Sequence, residues 1–226
     1  MPDFDIVRKS VIPETFRVSK IRGDFDFQPS EVVEHFRGEI KFPKNWKIGV
    51  IYGASGTGKS TIARQLFGDW MAVARNHDAK NAVVDDMPKG VSVDQITKMF
   101  YSLGFSSVPS WLKPYNVLSN GEKMRVDLAE ALLQSDKVCF DEYTSVVDRT
   151  VAKVMSMALR KTLSKGNWQF VAVTCHKDIL EWLNPDWAFC TDTMTQDVHL
   201  PPAQKSTFAS NRVDGGNGAG IANITI

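Results

Sequence analysis

The chain has 226 residues, and 43% of them are hydrophobic, so it can bury one substantial core and is expected to form one domain with a subdomain. Its 27 basic and 26 acidic side chains leave a net charge of +1, which excludes a global basic field for nucleic-acid binding but not a local basic patch. No apolar run approaches the roughly 20 residues of a membrane-spanning helix, and the N-terminal residues lack the apolar stretch of a secretory signal. We therefore expect a cytoplasmic protein without membrane insertion.

The cysteines and histidines suggest no metal site. The three cysteines show no C-x-x-C spacing, and the four histidines are scattered without the spacing of metal ligands. Two of the cysteines lie in apolar runs typical of strands, which favours buried free thiols in a reducing compartment. The cysteines are Cys139, Cys175 and Cys190.

Residues 1–47 alternate apolar and polar side chains in the manner of β-strands, which predicts an antiparallel β edge ahead of the core. The apolar positions are Phe16, Val18, Ile21, Phe36, Ile40 and Phe42. Phe25 and Phe27 are one residue apart and would share a face of a strand, either in the core, which is favoured, or with one ring stacked on a base.

The most informative stretch fits the phosphate-binding loop pattern: a glycine, four residues and then Gly-Lys-Ser. It consists of Gly53, Ala54, Ser55, Gly56, Thr57, Gly58, Lys59 and Ser60. A buried apolar strand over 48–52 precedes it, and a helix over 61–67 follows. Backbone N–H groups of such a loop converge on the β- and γ-phosphates, Lys59 adds positive charge, and the Ser60 hydroxyl offers a Mg²⁺ ligand. The stretch, counted through Thr61, predicts a nucleoside triphosphate site.

The next segment predicts a short strand over 82–84 that ends at Asp85 and Asp86, and then a helix over 94–103 capped by Asp94. Residues 105–114 contain two prolines and predict an irregular linker. Ser119 and Glu122 then have the spacing of a capping box, and a helical stripe of apolar residues follows them.

Two acidic residues and a histidine follow predicted core strands. Asp141 and Glu142 come directly after a strand over 137–140, and His176 follows a strand over 170–174. The carboxyl ends of parallel strands are where ligands bind in open α/β sheets. Asp141 is therefore suited to the Mg²⁺ shell, and Glu142 is suited to accept a proton from an attacking water. Between Glu142 and His176 the sequence predicts an amphipathic helix. Its apolar face includes Val151, Val154, Met155, Ala158, Leu159 and Thr162.

Taken in this order, the motifs resemble the nucleotide-binding domain of an ABC-type ATPase over residues 48–180. The resemblance implies an α/β P-loop NTPase with a mostly parallel central sheet, an N-terminal antiparallel β edge and a reduced helical subdomain over about 94–134. It also implies ATP and Mg²⁺ as cofactors, with Ser60 and Asp141 as metal ligands. The implied catalytic residues are Lys59, the general base Glu142 and the switch histidine His176.

The resemblance further implies a homodimer that forms head to tail on ATP. In that arrangement the signature residues contact the γ-phosphate of nucleotide bound to the partner subunit, and Asp148 links the two subunits. The signature residues are Ser119, Asn120, Gly121 and Glu122. A helix N-terminus that carries them is a suitable anion site, because its backbone N–H groups have no partner within the helix.

Several features depart from the family pattern. Only 57 residues, 61–117, separate the phosphate loop from Leu118, and either Gln95 or the Asp85–Asp86 pair occupies the place of the family's Q-loop glutamine. The base-stacking position is open between Arg22, Phe25 and Phe27. The residues of these motifs resemble a soluble bacterial and phage-borne group of ABC ATPases that is often fused to an acetyltransferase-like domain. No part of this sequence fits such a second domain, so we do not expect acetyltransferase activity. We expect the domain over 1–200 and a flexible, Ser-, Asn- and Gly-rich tail over 201–226.

The leading hypothesis is a soluble ATPase that dimerises on ATP and drives a conformational change in an unidentified protein partner. The alternatives are the ATP-binding subunit of a membrane transporter, which the short helical subdomain disfavours, and a DNA-maintenance ATPase. The second alternative normally needs long coiled coils between the nucleotide motifs, and 57 residues without heptads do not supply them.

Overall fold

The structure is a computed structural model that describes residues 3–73 and 77–197. Its centre is a five-stranded sheet with the order β4-β5-β3-β6-β7. The pairs β4-β5, β5-β3 and β3-β6 are parallel, and β6-β7 is antiparallel. The strands are β3 (Ile48–Tyr52), β4 (Lys137–Phe140), β5 (Gln169–Thr174), β6 (Trp187–Cys190) and β7 (Thr195–Gln196). All five residues of β3 are buried, as a central parallel strand requires.

The N-terminal segment forms a separate antiparallel pair, β1 (Asp3–Val11) and β2 (Glu31–Glu39), with α1 (Phe16–Asp24) between them. Phe4 and Phe36 of this pair are buried in a cluster with α2 (Lys59–Phe67) and one face of the central sheet. The other face packs against α3 (Val93–Ser102), α5 (Asn120–Gln134), α6 (Arg149–Lys165) and α7 (Ile179–Leu183). Helices thus cover both faces of the sheet, and the predicted α/β class with a mostly parallel sheet and an antiparallel N-terminal β element is confirmed.

Short elements complete the chain. They are α4 (Val108–Trp111) and two 3₁₀ turns, Gly68–Trp70 and Tyr115–Val117. The helices of the predicted helical subdomain are α3, α4 and α5. Among residues 3–73 and 77–197, no helix combines the length and the apolar character needed to cross a membrane.

The prediction of strands at Phe16, Val18 and Ile21 is wrong, because these residues lie in α1. Thr15 caps this helix by accepting a hydrogen bond from the backbone of Val18, and none of its residues is buried. The periodicity of a core-facing element is therefore absent, and alternation alone was misleading. Phe25 and Phe27 are not in a strand either, and they are 78% and 44% exposed, so their favoured placement in the core is also wrong.

Four further local predictions need correction. Residues 82–84 do not form a strand: Val83 and Val84 lie in turns, and their N–H groups donate to the carbonyls of Lys113 and Trp111. The cap of α3 is Ser92 and not Asp94, and a proline near its start lets α4 form inside the predicted linker. Val154 is 54% exposed and does not join the buried face of α6. The cysteines behave as predicted: all three are free, and Cys139 and Cys190 are buried.

Candidate nucleotide-binding site

The phosphate loop, residues 53–60, runs from the carboxyl end of β3 into the first turn of α2, which begins at Lys59. Gly58 has a φ of 86°, which is the left-handed region where only glycine is unstrained. A Cβ at this position would lie 2.4 Å from Cε1 of Phe36, so the ring of Phe36 packs directly beneath the loop. Glycine is therefore required at position 58 for two reasons: the left-handed backbone conformation and the close contact with the Phe36 ring.

Lys59 is held inside the loop. Its side chain is buried, and its ammonium group donates a hydrogen bond of 2.7 Å to the carbonyl of Ala54. The hydroxyl of Thr57 donates to the same carbonyl at 2.8 Å. The ammonium has three donors, and this bond uses one of them. The lysine is thus fixed at the base of the loop with donors available for an anion.

Ser60 and Asp141 meet at the carboxyl edge of the sheet, although 81 positions separate them in the sequence. The Ser60 hydroxyl donates to Oδ1 of Asp141 at 3.1 Å, and the guanidinium of Arg64 lies 3.8 Å from the other carboxylate oxygen. No group of three or more acidic, His or Cys side chains in the described residues is arranged to hold a metal by itself. Mg²⁺ commonly takes one or two protein oxygens together with water and phosphate, and the Ser60–Asp141 pair fits that ligand set.

Glu142 has an unusual backbone. Its φ is 53°, in the left-handed region, and its N–H donates to Asp141 Oδ1 at 2.9 Å. The N–H and the hydroxyl of Ser145 both donate to the Glu142 carbonyl. These bonds turn the chain sharply after β4, so that the Glu142 side chain is exposed in a cavity of about 720 Å³. This cavity extends from Glu142 and Ser145 to one face of α5.

Ser119 caps α5 in the predicted capping box. Its hydroxyl accepts from the N–H of Glu122, and the Glu122 carboxylate accepts from the N–H of Ser119 at 2.9 Å. The same carboxylate accepts from the Ser110 hydroxyl at 2.6 Å, and these bonds, the Ser110 bond first, hold the pKa of Glu122 below its usual value. Asn120 and Gly121 form the first turn, and a Cβ at Gly121 would lie 3.1 Å from Val151. The helix start is therefore rigidly built.

Asp148 and His176 lie in the two loops that follow β4 and β5. Asp148 caps α6 by accepting from the N–H groups of Thr150 and Val151. The backbone N–H of His176 donates to the Thr174 hydroxyl at 3.1 Å. Burial lowers the pKa of His176, the positive charge of Arg149 lowers it further, and Asp178 and Glu142 oppose that shift. Burial and Arg149 together favour the neutral form of the imidazole.

Two residues that the sequence analysis missed hold the phosphate loop from outside. Asp192 accepts from the N–H of Ala54 at 2.9 Å, and the hydroxyls of Thr191 and Thr57 are 2.5 Å apart. Both follow β6, whose apolar run Trp-Ala-Phe-Cys ends directly before them. The sequence signal for both is the one that marks Asp141 and His176: polar residues directly after an apolar core strand lie at the carboxyl edge of the sheet.

The candidates for the Q-loop glutamine and for the base-stacking residue make local contacts in the structure. The side chain of Gln95 accepts from the N–H of Ser92 in a capping box, and Asp86 is buried beside Asn81. Arg22 donates to the carbonyls of Phe27 and Gln28 and so closes the turn after α1. The predicted tail, 201–226, lies outside the described residues.

No family model and no curated protein matches the chain. Solved structures do match in fold. The dimeric ATP-binding cassette MJ0796, bound to ADP and Pi in a post-hydrolysis state, aligns with a TM-score of 0.54 and 13% identity, over 70% of this chain and 87% of that one. CbiO1 from Clostridium perfringens, part of the ABC transporter complex cbiONQ, aligns with a TM-score of 0.56 and 17% identity, over 69% and 78%. The chain therefore has the fold of ABC-type ATP-binding cassettes.

Proposed function

We propose that the protein is an ATPase that binds Mg·ATP in the phosphate loop and hydrolyses it to ADP and phosphate. The observation that carries this proposal is the contact of Ser60 with Asp141, with Lys59 and Glu142 beside it at one edge of the sheet. A phosphate-loop lysine, a hydroxyl, a carboxylate suited to Mg²⁺ and a second carboxylate suited to a base are the components that phosphoryl transfer to water requires. The ABC-type fold supports the same reaction.

Each residue has a role that follows from its place. The loop N–H groups, the start of α2 at Lys59 to Thr61 and the ammonium of Lys59 bind the β- and γ-phosphates. Ser60 and Asp141 hold Mg²⁺, which, when bound, neutralises charge on the phosphate oxygens. The Glu142 carboxylate accepts a proton from the attacking water. His176, as a neutral imidazole, donates or accepts a hydrogen bond near the γ-phosphate.

We also propose that two copies pair head to tail on ATP. The N-terminus of α5, with Ser119, Asn120, Gly121 and the supporting Glu122, is suited to bind an anion, because Ser119 fixes its first turn and the first N–H groups of a helix have no carbonyl partner within it. In the pair it completes the γ-phosphate shell of the partner's nucleotide, and Asp148 lies at the contact. The dimeric state of the cassette MJ0796 supports this arrangement. Hydrolysis then separates the copies and moves a bound protein partner in the cytoplasm.

We propose a nucleotide-binding domain over residues 1–200 and a flexible tail over residues 201–226. Within the domain, residues 94–134 form the helical subdomain that meets the protein partner. A second function is the ATP-binding subunit of a membrane transporter, which the likeness to a cassette from an ABC transporter complex favours. Co-purification with a membrane fraction separates the two, because only the transporter subunit needs a membrane partner. Duplex DNA binding that falls steeply with salt would instead indicate DNA maintenance.

The test is a phosphate-release assay on wild type and Glu142→Gln. The variant keeps the side-chain size and lacks the base, so hydrolysis should fall by roughly 10²–10⁴-fold, the range for a general base, while ATP still binds. Asp69→Asn is a matched control, because Asp69 lines the same cavity and follows no core strand. A Glu142→Gln variant that turned over like wild type would refute the assignment of the base.

A further inference from the structure

Arg149 is the first residue of α6, and its guanidinium joins segments that are far apart in the sequence. It forms a bidentate ion pair with Asp178, in which the Nε–Oδ2 distance is 2.9 Å. The guanidinium carbon lies 4.9 Å from the ring centroid of Trp182, and Nη1 lies 3.5 Å from the hydroxyl of Thr144. One side chain thus contacts the segment after β4, the segment after β5 and α7.

These segments carry the proposed catalytic groups. We call residues 141–148 the base loop, because Glu142 and Asp148 belong to it, and residues 175–178 the histidine loop, because His176 belongs to it. Inside the protein, the base loop is tied to β5, just ahead of the histidine loop, by the N–H of the buried Tyr143, which donates to the carbonyl of Val173 at 2.8 Å. On the outside, Arg149 directly follows the base loop and joins the two loops through its contacts with Thr144 of the base loop and Asp178 of the histidine loop.

Arg149 also follows Asp148 directly, and Asp148 is the residue proposed to lie at the contact between two copies. A displacement of the start of α6 is therefore transmitted through a planar, bidentate bond to the residue two positions after His176. Glu142 and Thr144 already have left-handed φ values of 53° and 65°, so the base loop has little freedom to absorb such a displacement by itself.

We propose that Arg149 is a positioning residue for hydrolysis: it fixes the histidine loop to the base loop, so that His176 and Glu142 keep a common geometry when Asp148 meets a partner copy. This inference rests on the proposed function and adds to it the route by which pairing acts on the catalytic groups. Arg149 itself does not touch the phosphates in this role.

The charges around His176 agree with this role. The charged groups that act on the imidazole of His176 are Arg149 of α6, Glu142 of the base loop and Asp178 of the histidine loop. The chain neighbours of His176 are Lys177 and Cys175, and the Cys175 Sγ lies 3.7 Å from Nδ1 of the imidazole. Burial makes the largest contribution to the lowered pKa of His176, and Arg149 makes the next. The positive charge of Arg149 therefore favours the neutral form of the imidazole.

A purely structural role would show itself in stability, and the exposure of the pair argues against one. The side chains of Arg149 and Asp178 are 37% and 41% exposed. Ion pairs at this level of exposure contribute little to folding stability, because water screens the charges. Loss of the pair should consequently change hydrolysis far more than the melting temperature.

The experiment compares Arg149→Ala, Asp178→Ala and the double variant with wild type in ATP hydrolysis. Each single change should lower kcat by about 10–10²-fold with the KM for ATP changed less than about threefold, because misplacement of a catalytic group by about an ångström has this effect. The double variant should be no worse than the worse single variant, since one interaction is lost only once. Arg149→Lys, which keeps the charge and loses the bidentate bond, should recover part of kcat. Lys153→Ala, an exposed cation on α6, is the control and should match wild type.

Two outcomes would overturn the inference: a kcat of Arg149→Ala within twofold of wild type, or losses in the two single variants that multiply in the double variant. A readout independent of hydrolysis is the pKa of His176, followed by NMR of labelled histidine and assigned with His176→Gln. It should rise in Arg149→Ala and stay near the wild-type value in Arg149→Lys, because lysine keeps the positive charge. An unchanged pKa of His176 in Arg149→Ala would refute the positioning role of Arg149, and this readout does not depend on hydrolysis. A wild-type protein that releases no phosphate would instead refute the proposed function.

Discussion

Replacement of Ser119 by alanine separates the structural from the functional part of the α5 cap. The change removes the bond from the N–H of Glu122 and frees the Glu122 carboxylate from the Ser119 hydroxyl. Loss of an N-cap serine lowers stability by about 1 kcal/mol, which lowers the melting temperature of a chain of this size by about 2–4 °C.

The chain offers a matched control in Ser92. It caps α3 with the same capping box, and its N–H donates to Gln95 at 2.9 Å, the distance found between Ser119 and Glu122. Ser92→Ala should therefore lower the melting temperature by a similar amount. Nothing in the proposed function assigns α3 to the nucleotide, so pairing should be unaffected.

Pairing is where the two variants should differ. In the structure the Ser119 hydroxyl donates its proton to the Glu122 carboxylate at 2.8 Å, so in the pair it turns from that carboxylate to the partner's γ-phosphate, and the net gain of the exchange is about 0.5–1.5 kcal/mol. A head-to-tail pair contains two Ser119 contacts, so Ser119→Ala should weaken the ATP-dependent dimer by about 10–10²-fold. The measurement is sedimentation of each variant over a range of concentrations in a Glu142→Gln background with Mg·ATP. Equal dimer dissociation constants for Ser119→Ala and Ser92→Ala would refute the assignment of the α5 N-terminus to the partner's phosphate.

Two further predictions concern stability. Gly58→Ala should lower the melting temperature of the nucleotide-free protein more than Gly56→Ala does. Both glycines have φ near 85°, so each alanine carries the same backbone cost of about 1–2 kcal/mol. A Cβ at position 58 would in addition lie 2.4 Å from the ring of Phe36, whereas a Cβ at position 56 would have no atom within 4 Å. Equal losses would contradict the packing of Phe36 beneath the loop. Asp127→Asn should stabilise the protein at pH 8 and have little effect at pH 4, as measured by urea unfolding at both values. Burial raises the pKa of Asp127 to about 6, so the folded state disfavours the ionised carboxylate. The resulting penalty is nearly absent at pH 4, grows as the pH rises from the ordinary pKa of an aspartate to about 6, and is complete above that value. One pKa unit corresponds to about 1.4 kcal/mol, but the Asp127 side chain is 36% exposed and water screens part of the effect, so the gain at pH 8 should be on the order of 1 kcal/mol. A gain of the same size at pH 4 would contradict the explanation.

The parts of the site that the sequence predicted are those whose determinants are local. The phosphate loop needs a strand, glycines and a helix start within about 15 residues, and the capping box of Ser119 needs four positions. Asp141 and His176 were recognised because each follows an apolar run that forms a core strand. In each of these segments the residues that decide the structure are neighbours in the chain.

The parts that the sequence did not predict depend on contacts between distant residues. Asp192 meets Ala54 across 138 positions, and Phe36 meets Gly58 only because β2 is laid against α2. Residues 82–84 have the composition of a strand, but the N–H of Val83 finds the carbonyl of Lys113, which local propensity does not encode. In α1, the cap at Thr15 outweighs an alternation that no buried face supports.

The central claim is that two copies enclose ATP through the α5 N-termini, and the most direct test is the solution mass of the Glu142→Gln protein by light scattering, with and without Mg·ATP. Without hydrolysis the nucleotide should hold the pair together, so the account predicts a monomer that becomes a dimer when Mg·ATP is added. A mass that stays monomeric with ATP bound would contradict the account, and the second half of the site would then have to come from a different protein.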